Sequence, residues 1–425
     1  MKFTIRTNYL IFPVYTHATE KKLMLSQGEN TLLELDIRLD CVSPDFWTYA
    51  DVSFLRNETV DISVSPEIPL SFGEADEIHI DNLYREAMRP QVHFTLKNGA
   101  LGEPLALVAA NGAYRLLYRC NPADTRDGNQ CWGYAESPDL IHWTEKNTSI
   151  FPDDIMPLLS RRAVAAWKSL REIRLQGEAE RTDLFPLSLG DGKRKWVRMN
   201  ADGTYRIGDL ADGVFHPTQE VKRLLYGAPS AGAILADRES GKAIRMERKA
   251  WSAANFRFCG QMSFPAALTL ETDTEGYVLS MSPIDKAEAL YKNTNRYENL
   301  RIDSKKVVEI PLADAAHLIR MRGAFDPNAK ISAVLFGREL HLDFSENLLR
   351  VGSESMPIAI GRDVLDLTLI VDRLSVEIFA DGGKLCAAFA SEDVFCDRNL
   401  LSLILQSESK YDFDLLEIHS LETIW

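Results

Sequence analysis

Apolar residues along this chain alternate with polar ones or form short runs, and Gly, Asn, Asp and Pro punctuate them. Alternation at a period of two places side chains on opposite faces of a pleated ribbon, so the pattern predicts strands. The clearest are residues 9–14, 31–39, 51–54, 60–64, 113–118, 195–199, 332–336 and 375–379. Their spacing predicts an all-β protein of sheets, sandwiches or blades. Two stretches read as helix: 155–178, which contains AVAAWKSLREIRL, and a short link at 286–292.

Breaks in the pattern suggest three units. The acidic, polar stretch 73–82 ends a first β-rich unit, and 282–299, with its polar NTNRYEN, separates the middle from the last. In the last unit Leu374, Val376 and Ile378 share one strand face. Asp381-Gly382-Gly383 then makes a tight turn suited to positive φ. With late strands at 400–405 and 413–418, this unit reads as a sandwich. A chain of 425 residues exceeds one ordinary core and fits this division.

Charge and cysteine usage narrow the partners. A net charge of −14 argues against binding nucleic acid or an anionic membrane through the global field. No apolar run approaches the length of a membrane span. The first residues, MKFTIRTNYLIFPVYTHATE, read as a strand broken by Pro13 rather than as a secretion signal, which suggests a cytoplasmic protein. Cysteines 41, 120, 131, 259, 386 and 396 show neither a CxxC pair nor metal spacing, so reduced, mostly buried thiols are expected and no cofactor is implied.

One turn carries candidate chemistry. Strand-like residues flank Asn98–Pro104, where Gly99 and Gly102 precede the single carboxylate of Glu103. A Gly/Pro turn of this kind could aim one acid into a pocket, though a solvated turn residue has the same appearance.

The residues around it resemble glycoside hydrolase family 32, the invertase, levanase and inulinase family. RPQVHF at 89–94 leading to GALGEPLALV at 99–108 is similar to the family's RPQ-x-HF…GWMNDPNGLV. YRCNP at 118–122 and GNQCWGYA at 128–135 resemble YQ-x-NP and GNMHWGHA. ERTDLFPL at 180–187 resembles ECPDLFPL, GQMSFP at 260–265 resembles GQMSLP, and SVEIF at 375–379 resembles a strand of the family's C-terminal sandwich. The similarity runs collinearly over residues 83–425. It implies an N-terminal β-rich extension (1–82), a five-bladed-type β-propeller shortened around 168–178 (83–275) and a C-terminal β-sandwich (276–425).

The resemblance also implies a retaining β-fructosidase, a glycosidase whose two carboxyl groups act as nucleophile and acid/base. Glu103 occupies the nucleophile position, where the family has Asp, and Glu180 the acid/base position. The family's Arg-Asp-Pro motif, source of a third carboxylate, is absent from the chain. Arginines stand where the family has small or neutral residues: Arg119, Arg161, Arg162 and Arg181. Asn129, Trp132, Arg119, Arg162 and Arg181 are the candidate substrate-binding residues. The expected partner is a carbohydrate, a fructoside or related sugar, with no metal. Two alternatives stay open: a non-catalytic carbohydrate-binding or structural relative, and an arginine-lined pocket that takes an anionic sugar or merely pairs with Glu103 and Glu180.

Overall fold

The computed structural model describes residues 1–39, 44–110, 112–129, 131–146, 182–230, 232–237, 241–251, 256–274, 276–361, 363–390 and 399–425. These form an all-β protein, as the alternation predicts. At the N-terminus a four-stranded sheet, in the order Lys2–Thr4, Thr59–Ser65, Lys21–Gln27, Asn30–Ile37, accompanies a three-stranded sheet of Phe46–Asp51, Tyr9–Val14 and Gly73–Ala75. Their apolar positions, among them Leu10, Phe12, Leu23, Leu25 and Ile62, make one core.

The middle of the chain builds three antiparallel sheets of the blade type. The first contains Gly99–Ala110, Ala113–Asn121, Cys131–Ser137 and Thr144–Glu145, with Phe258–Cys259 added in parallel beside its first strand. The second contains Thr182–Ser188, Arg194–Asn200, Thr204–Ala211 and Val214–Pro217. The third contains Gly232–Asp237, Lys242–Lys249, Ala266–Asp273 and Gly276–Pro283. Strands Gly99–Ala110 and Thr182–Ser188 both pack on Gly232–Asp237 and Lys242–Lys249, so the third sheet stands between the other two. The described residues thus hold three blade sheets of the five that the resemblance implies.

The last unit packs a seven-stranded sheet, to which Leu225–Tyr226 from the middle of the chain contributes one strand, against a six-stranded one. The shared core runs from Ile319 and Met321 through Leu367 and Ile378 to Leu403 and Phe413. The turn at 381–383 has positive φ at all three residues, as its Asp-Gly-Gly sequence suits.

Several local expectations are corrected. Residues 51–54 are not a strand: the strand is Phe46–Asp51, and a 3-10 turn follows at Ser53–Leu55. Asp51 Oδ1 ends it by accepting from the Ser53 N–H (2.9 Å) and hydroxyl (2.7 Å). The short helix at 286–292 is a 3-10 segment, Asp285–Leu290. The polar stretch that separates the last two units is largely a strand, Tyr291–Ile302, at the edge of the seven-stranded sheet. Its exposed side chains face water on an edge, where alternation with apolar residues is not required. The helix expected at 155–178 lies outside the described residues.

The middle and last units are joined by a buried ionic network. His93 Nδ1 meets Asp372 Oδ2 at 2.7 Å and its Nε2 meets Glu377 Oε1 at 3.1 Å. Asp372 also accepts from the backbone N–H groups of Gln91, Val92 and Arg373, and Glu377 from that of Phe264. Nearby, Glu247 is buried between Arg245 (2.6 Å) and Lys249 (2.5 Å). Burial would raise its carboxyl, yet these two cations hold it at about 2. The RPQVHF and SVEIF stretches are therefore two halves of one clamp.

A second tie uses Trp425, whose ring stacks on Tyr84 at 3.9 Å between centroids and whose Nε1–H donates to the Pro90 carbonyl at 2.7 Å. Trp425→Ala removes both contacts, so a loss of about 2 kcal/mol is expected, read as a lower denaturant midpoint. An unchanged midpoint would show that this tie carries no stability.

Candidate active site

The site is built from the start of the first blade sheet. The expected tight turn at 98–104 is instead the opening of a continuous strand, Gly99–Ala110, interrupted by register shifts between Leu101 and Pro104 and between Pro104 and Ala106. Leu101 pairs with Cys120 and Pro104 with Tyr118, which leaves Gly102 and Glu103 together opposite Arg119. Two residues opposing one is a bulge, a device that re-aims a side chain. Gly102 is needed there, since a Cβ would lie 2.7 Å from the Arg119 carbonyl oxygen. At Gly99, with φ +88°, a Cβ would lie 2.2 Å from the Asn121 carbonyl oxygen.

Glu103 is half-buried and Arg119 exposed. Arg119 in turn pairs with Trp132 on the next strand. Directly opposed residues share a sheet face, so Arg119 and Trp132 stand side by side. Trp132 is half-buried and packs in a small apolar cluster with Leu105, Ala106, Val108, Leu117 and Tyr134. Of the sequence-derived site residues, the structure thus brings Glu103, Arg119 and Trp132 together. Glu180, Arg162 and Arg181, with Arg161, lie outside the described residues.

Asn129 departs from its expected sugar-binding role. Its Nδ2 donates to the Asp36 carbonyl (2.7 Å) and to Asn121 Oδ1 (2.9 Å), and its Oδ1 accepts from the Asp36 N–H (2.7 Å). Both amide hydrogens are spent, so Asn129 works as a strand-like bridge to the N-terminal unit. Around it, Arg38 forms a buried forked ion pair with Asp124, and Thr48 donates to the Pro122 carbonyl. Arg248 of the third sheet reaches Asp127 in the same loop at 2.9 Å. Asn129→Ala is expected to loosen the N-terminal unit by about 1–3 kcal/mol, seen as faster proteolysis there. The KM for any sugar should change little, and a KM effect without loss of stability would restore the binding role.

Other polar residues here are structural. Trp143 is buried, and its Nε1–H donates to the Leu140 carbonyl at 2.7 Å. Glu145 is buried, and burial lifts its carboxyl to about 6 although the Lys97 N–H, at 2.7 Å, opposes the rise. Enclosed at 4% exposure, it has no access to a substrate. Asn98 Nδ2 donates to Thr48 Oγ1 at 2.9 Å, and the Gly99 N–H donates to the Arg257 carbonyl at 2.7 Å. Asn98 opens the turn read from the sequence, whereas Arg257 is brought beside Glu103's strand only by the fold. Among the described residues no group of His, Cys, Asp and Glu could hold a metal ion. Among the described residues, Cys120, Cys131, Cys259 and Cys386 form no disulfide.

Comparison with a protein-family model falls on this same stretch. The glycosyl hydrolases family 32 N-terminal domain matches residues 93–158, which include Glu103, Arg119, Asn129 and Trp132. An invertase of Schizosaccharomyces pombe is 33% identical over 82 residues, covering 19% of this chain and 14% of that protein. A fructan beta-fructosidase of Streptococcus mutans is 38% identical over 92 residues, covering 22% of this chain and 6% of that one. These matches span only a small part of the relatives' own length. Among solved structures, the exo-inulinase from Aspergillus awamori superposes with a TM-score of 0.63 at 13% identity, covering 80% of this chain and all (100%) of that one. The fructan 1-exohydrolase IIa from Cichorium intybus gives 0.61 at 14%, covering 80% and 98%. These superpositions show a shared fold, the β-propeller with a β-sandwich, and the family match covers the strands that carry Glu103, Arg119 and Trp132. Over residues 93–158 the chain is thus similar in sequence to the glycosyl hydrolases family 32 N-terminal domain, and as a whole it shares the fold of these solved enzymes.

Proposed function

We propose that this protein is a β-fructosidase-type glycoside hydrolase that cleaves fructosides by a retaining route. The observation that carries the reading is the placement of Glu103, a carboxylate presented by a bulge at the head of the first blade strand, within the segment that matches the family. In this route the Glu103 carboxylate attacks the anomeric carbon of the fructosyl unit as the glycosidic C–O bond breaks. Glu180 gives its proton to the departing oxygen. Water, deprotonated by Glu180, then attacks the same carbon and releases Glu103. Trp132 and Arg119 border the Glu103 face and would position the sugar.

A second reading is favoured by one observation. With Asn129 committed to Asp36 and the Arg-Asp-Pro motif absent, the face has lost groups that would hold a fructosyl unit. On that reading the protein binds carbohydrate without turnover. Purified protein assayed on sucrose, inulin, levan and an aryl fructoside separates the two. Turnover that disappears in Glu180→Gln establishes hydrolysis and disposes of the binding-only reading. Absence of turnover at high protein load, in both the native chain and Glu103→Asp, would leave the binding reading.

A further inference from the structure

The outer face of the N-terminal three-stranded sheet is built unlike the rest of the surface. On Phe46–Asp51 the side chains of Phe46, Thr48 and Ala50 turn inward, which leaves Trp47 and Tyr49 on the opposite face beside Ile11 of the neighbouring strand. Trp47 is 44% exposed, among the most exposed large apolar side chains of the described residues. Gly73, on the third strand, carries no side chain to cover that face, and a Cβ there would meet Ile11 at 3.5 Å.

The face is the floor of an open groove of about 450 Å³, whose other walls come from His79, Asp81 and Arg257. That volume lies in the range of small-ligand sites and suits one or two sugar rings. Arg257 is half-buried, and among the described residues its guanidinium has neither a hydrogen-bond nor an ion-pair partner. Asp81 is open to solvent and, among the described residues, pairs only with His79, at 3.4 Å. Asp45, also on the groove, is instead spent on the Thr16 N–H and hydroxyl, each at 2.6 Å.

We propose that this groove is a second saccharide-binding site, in which the Trp47 indole stacks on the ring of a neutral sugar while Arg257 and Asp81 take its hydroxyls. A sugar ring offers an apolar face to the indole and a rim of hydroxyls that both donate and accept. The groove answers with an aromatic plate, a donor-only guanidinium and an acceptor carboxylate. The carboxylate opposite Arg257 disfavours an anionic occupant, since like charges would be brought together.

The location links the groove to the Glu103 face. The Arg257 carbonyl accepts the Gly99 N–H at 2.7 Å, and Glu103 follows four residues along that strand, a backbone span of roughly 10–13 Å. One polymer chain could thus touch both sites. The choice of fructans as first ligands rests on the function proposed above, whereas the groove itself does not.

The test is affinity electrophoresis of the full chain in gels containing levan, inulin, a soluble glucan or a galactan, with Glu103→Gln as background so that the polymer is not consumed. At least one polymer should retard the protein, and Trp47→Ala and Arg257→Ala should each weaken retardation about tenfold. Both positions are at least partly exposed, so the unfolding midpoint should hold and serves as the control. With native Glu103, Trp47→Ala should leave turnover of a sucrose-sized substrate unchanged. Retardation by none of these polymers, or equal retardation of Trp47→Ala and its parent, overturns the groove. Turnover without retardation removes the groove and keeps the hydrolase. Trp47-dependent retardation without any turnover does the reverse.

Discussion

Glu103→Gln is expected to lower kcat for fructoside hydrolysis by at least about 10³-fold while leaving the fold and KM nearly unchanged. The amide is isosteric with the carboxylate but cannot form the covalent intermediate, so the loss should appear in the chemical step. Glu103→Asp separates charge from position. It keeps the carboxylate but withdraws it by one methylene towards the bulge, and misplacement on the scale of 1 Å costs about 10²-fold. Turnover should therefore fall in the order native, Asp, Gln, as read by single-turnover kinetics on an aryl fructoside. Equal activity in all three would place the chemistry elsewhere. Arg119, opposite the bulge, provides an internal comparison. Arg119→Gln should move KM more than kcat if the arginine positions the sugar.

The largest stability effect should come from the clamp between propeller and sandwich. Asp372→Ala strips the acceptor from three backbone N–H groups and from His93, all in a site sealed from water. Leaving a buried cation with one partner fewer costs about 3–5 kcal/mol, measurable as a shift in denaturant midpoint. Its pH dependence has a definite sign. Burial alone would push the His93 imidazole down, but its bonds to Asp372 and Glu377 more than reverse this and raise it to about 9. Unfolded, the same group titrates near 6.5. Its contribution, on the order of 3 kcal/mol, is therefore complete below about pH 6.5 and is lost as pH rises through about 9. Asp372 behaves oppositely. Burial raises its carboxyl, but the His93 bond and the backbone N–H groups carry it below the usual value. That part of the stability is present above about pH 4 and fades on acidification. His93→Gln should flatten the alkaline decline between about pH 6.5 and 9. An unaltered alkaline limb would assign the pH dependence to other groups.

Much of the fold was legible without coordinates because strand formation here follows local alternation. Residues 9–14 and 375–379 announce themselves by side chains that switch faces at every step, and Asp381-Gly382-Gly383 announces its turn by residues that tolerate positive φ. Where an element's composition is set by solvent rather than by a core, the same logic failed. The polar strand Tyr291–Ile302 looked like a linker because an edge strand satisfies its ladder through Tyr411–Leu421 and needs few apolar residues of its own.

The candidate site divides along similar lines. Glu103 could be found from sequence, because glycines and a proline around one acid form a local pattern and the flanking residues resemble a known family. By itself the sequence determined an all-β chain that resembles that family, with Glu103 standing where the family's nucleophile would be expected and no Arg-Asp-Pro. The tertiary structure alone decided what neighbours each polar group has. It turned the expected loop into a bulged strand, since Gly102 lets the backbone approach Arg119. It turned Asn129 from a sugar ligand into a bridge, since Asp36 lies against it. It joined His93 to Asp372 across 279 residues and set Trp47 and Arg257 around one groove. Hydrogen bonds and ion pairs act over about 3 Å in space, and no local periodicity records which distant residue will supply the partner.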